Sequence, residues 1–163
     1  MGAAKNILEN NGETLKVFSQ YYDDILDFSD LPGHYSKFMK ESRGKMLRPL
    51  MCLLSADACG KVNGRTYLAA SLIEMLHNAA LVHDDVIDES VLRRGKPTFN
   101  ALYGGKNSIL FGDYIISKVF SIASKRREHE LLDVLIDVFH KMSIGEIIQI
   151  EENKKTHVDE LKY

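Results

Sequence analysis

Four carboxylates end an apolar stretch of the chain in HNAALVHDDVIDES, residues 77–90. Asp84 and Asp88 are four residues apart, which on a helix places them on one face, about 5.4 Å apart along the axis. Asp85 and Glu89 form a second pair of this kind. Because such carboxylates repel each other, they favour a cation between them, and Mg²⁺ binds one or two carboxylates together with water and phosphate oxygens. The spacing predicts Mg²⁺ on Asp84 and Asp88; the alternative is a solvated helix end paired with nearby Lys and Arg.

Basic residues lie close to these acids in the sequence. Arg93 and Arg94 follow within RRGKPT, and RGKMLRP places Arg43, Lys45 and Arg48 around a glycine. Arginine binds phosphate oxygens in a bidentate manner and keeps its charge at all physiological pH values. Either cluster alone could be a surface charge run, but acids and arginines together predict a polyphosphate site. The sequence contains neither GxxxxGK[ST] nor GxGxxG, so we expect no nucleotide site of the usual kinds.

The elements that must position these residues are all predicted to be helical, because no segment shows sustained alternation of apolar and polar residues. We expect a helix over about residues 4–28, a second that begins near Gly33 and a third that ends at Gly60. Further helices are expected over 66–89, 108–125 and 127–151. Residues 90–107 are predicted to be a polar loop with at most one short turn. Thr156 is a good N-cap with Asp159 three residues later, so a new helix is expected there. This pattern predicts an all-α fold with one domain over 1–163.

Composition excludes several classes of protein. The net charge of -2 gives no overall attraction to nucleic acid or to an anionic membrane. No apolar run approaches the roughly 20 residues that span a bilayer, and the N-terminus lacks the apolar core of a secretory signal. We therefore expect a cytoplasmic protein with no nucleic-acid partner and no stable membrane insertion. Cys52 and Cys59 are expected to be reduced core residues.

Four segments together resemble the trans-type isoprenyl diphosphate synthases, the polyprenyl synthetases: RGKMLRP, EMLHNAALVHDDVIDES, RRGKPT and LFGDYI. DDVID is similar to that family's first aspartate-rich motif, DDxxD. The resemblance covers about Lys45 to Gln149. It implies an all-α helical bundle of the isoprenoid synthase type, a homodimer, and prenyl transfer from an allylic diphosphate to isopentenyl diphosphate.

The resemblance also implies roles for single residues. Asp84 and Asp88 would bind Mg²⁺, with Asp85 in support, and Arg93 would contact the allylic diphosphate. The residues implied for isopentenyl diphosphate are Lys45, Arg48, His77 and Arg94. Gln149 would be the family's glutamine on the helix that faces the first motif. A core-facing histidine is the alternative for His77, and an ordinary helix-face residue is the alternative for Gln149.

The resemblance further implies the length of the product. Ala79 and Ala80 lie one turn before Asp84, where short-chain members of the family carry bulky aromatic residues. Small residues there leave the pocket for the prenyl tail open. We therefore expect a geranylgeranyl or longer product.

One part of the family pattern has no counterpart in this sequence. The second aspartate-rich motif and the Lys-Thr pair before it are absent, although NKKTHVDELKY resembles the approach to that pair. We expect the N-terminal part of a synthase, truncated before its C-terminal helices, which binds diphosphate with Mg²⁺ but condenses it poorly. Uncovered apolar faces over 108–125 and 127–151 predict self-association. The alternatives are a non-catalytic small or regulatory subunit of a heteromeric prenyl diphosphate synthase, and a non-catalytic helical module that binds metal or phosphate.

Overall fold

A computed structural model describes residues 10–160, and the side chains of residues 10–152. Within that range the chain forms seven helices and one two-stranded hairpin. The helices are α1 (Gly12–Ile25), α2 (Gly33–Glu41), α3 (Leu47–Cys59), α4 (Gly64–Ile87), α5 (Phe99–Tyr103), α6 (Gly105–Lys125) and α7 (His129–Glu160). The hairpin joins β1 (Leu92–Arg93) to β2 (Lys96–Pro97) in antiparallel register. The predicted all-α class is confirmed.

The chain divides into two compact units, Met1–Val119 and Phe120–Tyr163. In the first unit α4 packs against α1, α3 and α5, and it supplies more of the core than any other described helix there. Its buried apolar face includes Leu68, Leu72, Met75 and Ala79. Every candidate residue except Gln149 belongs to this first unit. The helix that carries the aspartates is therefore the one that the core holds most firmly.

Both ends of α4 are fixed by local hydrogen bonds. Asn63 caps the first turn, because its side chain accepts hydrogen bonds from the backbone N–H groups of Arg65 and Thr66. At the other end the N–H of Ser90 donates to the carbonyl of Asp85, and Glu89 adopts a left-handed φ of 48°. This is the pattern of a Schellman termination, which reverses the chain direction. Since α4 ends at Ile87, Glu89 lies outside it and the predicted Asp85–Glu89 pair on one helical face is wrong.

Three further predictions need correction. The region 90–107 holds the hairpin and α5 rather than an irregular loop; its strands of two residues are too short to show alternation. No new helix begins at Thr156, because α7 continues without a break from His129 to Glu160. Cys59 is exposed at the end of α3, so its predicted core position is wrong, whereas Cys52 is half-buried. Of the first predicted helix, residues 4–9 lie outside the described part.

Two predictions concern apolar surface, one about membrane-spanning helices and one about exposed apolar faces. No helix between residues 10 and 160 is long and apolar enough to cross a membrane. The second unit exposes large apolar side chains along α7, among them Val134, Ile136, Ile144, Ile147 and Ile148. An exposed apolar face on this helix was expected, and self-association through it stays a prediction.

Candidate functional site

The C-terminal turn of α4 is joined to the hairpin by an ion pair between a buried carboxylate and a partly exposed arginine. The Asp85 side chain is only 5% exposed; its Oδ1 accepts a hydrogen bond of 2.9 Å from Nε of Arg93 and lies 2.9 Å from Nη2 in the same ion pair. The backbone carbonyl of Asp85 also accepts from the side-chain amide of Asn100, at 3.2 Å. A buried carboxylate needs such partners, because its desolvation is costly without them. Asp85 therefore holds the hairpin and α5 against the end of α4.

Asp84 and Asp88 are one helical turn apart, since the N–H of Asp88 donates to the carbonyl of Asp84 at 2.8 Å. Asp84 is half-buried and Asp88 is exposed. The structure therefore keeps these two carboxylates on the outer side of the turn and directs Asp85 inward. The three acids of DDVID thus have two different environments, which the spacing alone did not distinguish.

A cavity of about 620 Å³ lies between the start of α3 and the middle of α4, and Arg94 of the hairpin also lines it. Most of the predicted substrate residues line it, from three separate parts of the sequence. The lining residues are Arg43, Gly44, Lys45, Met46, Leu47, Arg48, Glu74, His77 and Arg94. A smaller cavity of about 70 Å³ adjoins Asp85, Arg93 and Lys96, and Arg43 and Arg94 line both. This arrangement offers cations to an anion in either cavity.

Gly44 creates the close approach between the two basic segments. A β-carbon on Gly44 would overlap the Arg94 guanidinium, with its Cζ only 2.7 Å away. Any larger residue would push the guanidinium off this position. The hairpin is anchored to the same region by Lys96, whose Nζ donates to the carbonyl of Glu41 at 2.6 Å.

The cations of the cavity act on the titratable groups of α4. Burial, followed by the positive charges of Arg48, Arg94 and Arg93, lowers the pKa of His77 to about 4. His77 is therefore a neutral imidazole at pH 7. Glu74, one turn earlier and 5% exposed, has a raised pKa because burial outweighs the opposing effect of Arg48 and Arg94. Glu74 was not among the site residues predicted from the sequence. Its position three residues before His77 was the signal that could have identified it.

Five predicted residues line neither of the two cavities: Asp84, Asp88, Ala79, Ala80 and Gln149. Ala79 is fully buried in the core, and Ala80 is half-buried on the neighbouring side of α4. Gln149 is exposed on α7 in the second compact unit. The structure thus brings together Lys45, Arg48, His77 and Arg94 but gives no relation between this group and Gln149.

Comparisons with known proteins show a family and several relatives. Residues 34–163 match the family Polyprenyl synthetase. The chain is 43% identical over 117 residues to an all-trans-nonaprenyl-diphosphate synthase (geranyl-diphosphate specific) of Rhodobacter capsulatus, covering 71% of this chain and 36% of that protein. It is 32% identical over 152 residues to octaprenyl diphosphate synthase of Escherichia coli, covering 93% of this chain and 46% of that protein.

The fold is similar to that of a solved relative. A polyprenyl synthase from Caulobacter crescentus, crystallised in complex with calcium and isoprenyl diphosphate, matches with a TM-score of 0.78 and 28% identity. That match covers 91% of this chain and 46% of the other. The chain thus spans less than half the length of these three relatives.

The first prediction concerns Gly44. Gly44→Ala displaces the Arg94 guanidinium, so we expect the affinity for inorganic diphosphate to fall about tenfold, the scale of one lost hydrogen bond to a charged group. Isothermal titration calorimetry measures it. Gly33→Ala is the control, because a β-carbon there meets nothing within 4 Å. Equal affinities for the two variants would contradict the role of this contact.

The second prediction concerns His77. The folded chain binds a proton at His77 near pH 4, whereas the unfolded chain binds it near pH 6.5. Because the unfolded state then holds more protons between these values, the free energy of unfolding decreases as the pH falls from about 6.5 towards 4. His77→Gln should lack this component of the decrease. Urea unfolding of both proteins at pH 7 and pH 4.5 tests it, and an identical decrease in both would contradict it.

Proposed function

Because this chain belongs to the Polyprenyl synthetase family, we propose that it carries the diphosphate-binding part of a prenyltransferase. The whole enzyme would condense an allylic diphosphate with isopentenyl diphosphate to give a longer polyprenyl diphosphate. The observation that carries this proposal is the Asp85–Arg93 ion pair, which fixes the acidic end of the helix at the smaller cavity, whose cations Arg43 and Arg94 also line the larger one. An enzyme that joins two diphosphate substrates needs both features side by side.

We assign the allylic diphosphate to the side of Asp84, Asp88 and Arg93. Among residues 10–152, whose side chains are described, there is no group of three or more His, Cys, Asp or Glu that could hold a metal ion. Two carboxylates one turn apart instead suit Mg²⁺, which takes its remaining ligands from water and substrate phosphates. The Caulobacter relative, crystallised with calcium and isoprenyl diphosphate, supports such a combination. When bound, Mg²⁺ would neutralise charge on the departing diphosphate.

The residues of the larger cavity are assigned to isopentenyl diphosphate. Lys45, Arg48 and Arg94 supply charge for its diphosphate, and neutral His77 can donate one hydrogen bond without titrating near pH 7. In the reaction the allylic carbon–oxygen bond breaks, and the isopentenyl double bond attacks the resulting carbocation. A proton then leaves, with the released diphosphate as its acceptor. The protein's part is to hold both diphosphates and to exclude water from the cation.

The prenyl tail is assigned to the apolar side of α4 that precedes Asp84. Ala80 presents a small, half-buried side chain there, and Ala79 fills the core behind it. With no bulky residue at either position, we propose a geranylgeranyl or longer product. For the chain as given we propose Mg²⁺-dependent binding of diphosphate without efficient condensation, and for the whole enzyme a cytoplasmic homodimer with Gln149 in its active site.

The proposal is tested by removing the two outer carboxylates. Asp84→Asn and Asp88→Asn should each reduce the gain in geranylgeranyl diphosphate affinity that Mg²⁺ produces by about tenfold or more, the scale seen when a metal site is disturbed. Calorimetry with and without Mg²⁺ measures this gain. Asp57→Asn, an exposed carboxylate on α3, removes the same charge as a control. A gain unaffected by either site variant would contradict the metal assignment.

The product pocket is tested by filling it. Ala80→Phe should weaken binding of geranylgeranyl diphosphate about tenfold and change the affinity for geranyl diphosphate by no more than about twofold, because only the longer tail reaches past the new ring. A tenfold loss is the scale expected when a few methylene groups are no longer buried. Ala58→Phe, at an exposed position of α3, serves as the matched control. Equal losses for both ligands would show that the tail does not pass Ala80.

A further inference from the structure

Arg43 lines both cavities, but its guanidinium binds a carboxylate of α1. Its two terminal nitrogens bind the carboxylate of Asp23: Nη1 donates to Oδ2 at 3.3 Å, and Nη2 pairs closely with Oδ1. The Arg43 side chain is 20% exposed and that of Asp23 is 44% exposed. This is a two-point contact between a helix and the segment 42–46, which links α2 to α3. Two parallel bonds of this type fix orientation as well as distance.

A ring and a third side chain support the same contact. The Arg43 Cζ lies 5.2 Å from the centroid of the Tyr22 ring, within the range of a cation–π interaction. Tyr22 is fully buried, and its hydroxyl accepts a hydrogen bond of 3.2 Å from the Asn78 side chain of α4. The Tyr22 ring against which Arg43 packs is therefore itself hydrogen-bonded to α4, the helix that carries the aspartates.

Asp23 supplies every acceptor that Arg43 has within the described residues. The third guanidinium nitrogen, Nε, is buried there without a hydrogen-bond partner. Around it the cavities gather further cations, including Lys45, Arg48 and Arg94, whose like charges repel Arg43. Without Asp23, the Tyr22 ring would be the closest described contact left to hold the Arg43 guanidinium against this repulsion.

We propose that Asp23, through its ion pair with Arg43, is a positioning residue that holds the phosphate-binding segment Gly44–Arg48 in place before substrate arrives. Tyr22 and Asp23 precede the family match, which begins at residue 34, so the contact joins residues outside the match to Arg43 inside it. Preorganisation of this kind strengthens binding because the segment loses less freedom when the ligand binds. The inference rests on the proposed function, which assigns this segment to isopentenyl diphosphate.

The experiment uses the whole chain with Asp23→Asn, and with Asp24→Asn as the matched control. Both remove one charge from adjacent exposed positions of α1, but only Asp23 contacts Arg43. NMR relaxation gives the order parameters of the Gly44, Lys45 and Met46 amides without ligand. In Asp23→Asn we expect these values to fall from about 0.85, typical of rigid backbone, to below about 0.6. Calorimetry then measures binding of isopentenyl diphosphate, which should weaken about fivefold, near the upper limit for a partly exposed ion pair.

Each outcome decides the question. The proposal holds if Asp23→Asn alone loosens the segment and weakens binding while the thermal midpoint stays close to that of the unaltered chain. It is overturned if the order parameters do not change, if they change while binding does not, or if Asp24→Asn has the same effects. Failure of the unaltered chain to bind isopentenyl diphosphate would instead contradict the proposed function, and the order parameters would still show whether Asp23 orders the segment.

Discussion

The buried carboxylate of Asp85 connects the end of α4 to the hairpin, and its backbone carbonyl connects it to α5. Its side chain pairs with Arg93 of the hairpin, and its carbonyl accepts hydrogen bonds from Ser90 and from Asn100 of α5. Because a carboxylate in this low-dielectric position is stable only with such partners, the end of α4, the hairpin and α5 must adopt their places together. Asp84 and Asp88 share the same helical turn. Their distance from the arginines is therefore set by a contact in which neither takes part.

The larger cavity concentrates positive charge that the fold must balance. Lys45, Arg48 and Arg94 line it together with the nearly buried Glu74, and Asp23 binds Arg43, which also lines it. These two acids reduce the mutual repulsion of the cations. The result is a local concentration of positive charge in a chain whose net charge is -2.

Sequence reasoning succeeded where the relevant contacts are local. The turn that joins Asp84 to Asp88 follows from helical periodicity, and the family expected from the motifs is confirmed by the match over residues 34–163. It could not show that Asp85 turns inward to Arg93, because that depends on where the hairpin packs. At Thr156 a capping signal was misread, since the same residue types also occur inside a helix when the flanking residues favour helical structure.

At positions 44 and 94 the residue type follows from the side chain that is needed there, not from the backbone conformation. Arg94 has a left-handed φ of 54°, a region that favours glycine and costs other residues about 1 kcal/mol or more. Gly44 lies outside that region, so its backbone would accept most residues. The glycine is needed at 44 for the space that the guanidinium occupies, and the arginine is needed at 94 for its charge. A similar left-handed φ at Met46, immediately before α3, places a third constrained residue between Lys45 and Arg48. Backbone strain in this unit is thus concentrated in the segments that carry the charges, as expected where surrounding contacts fix the conformation for binding.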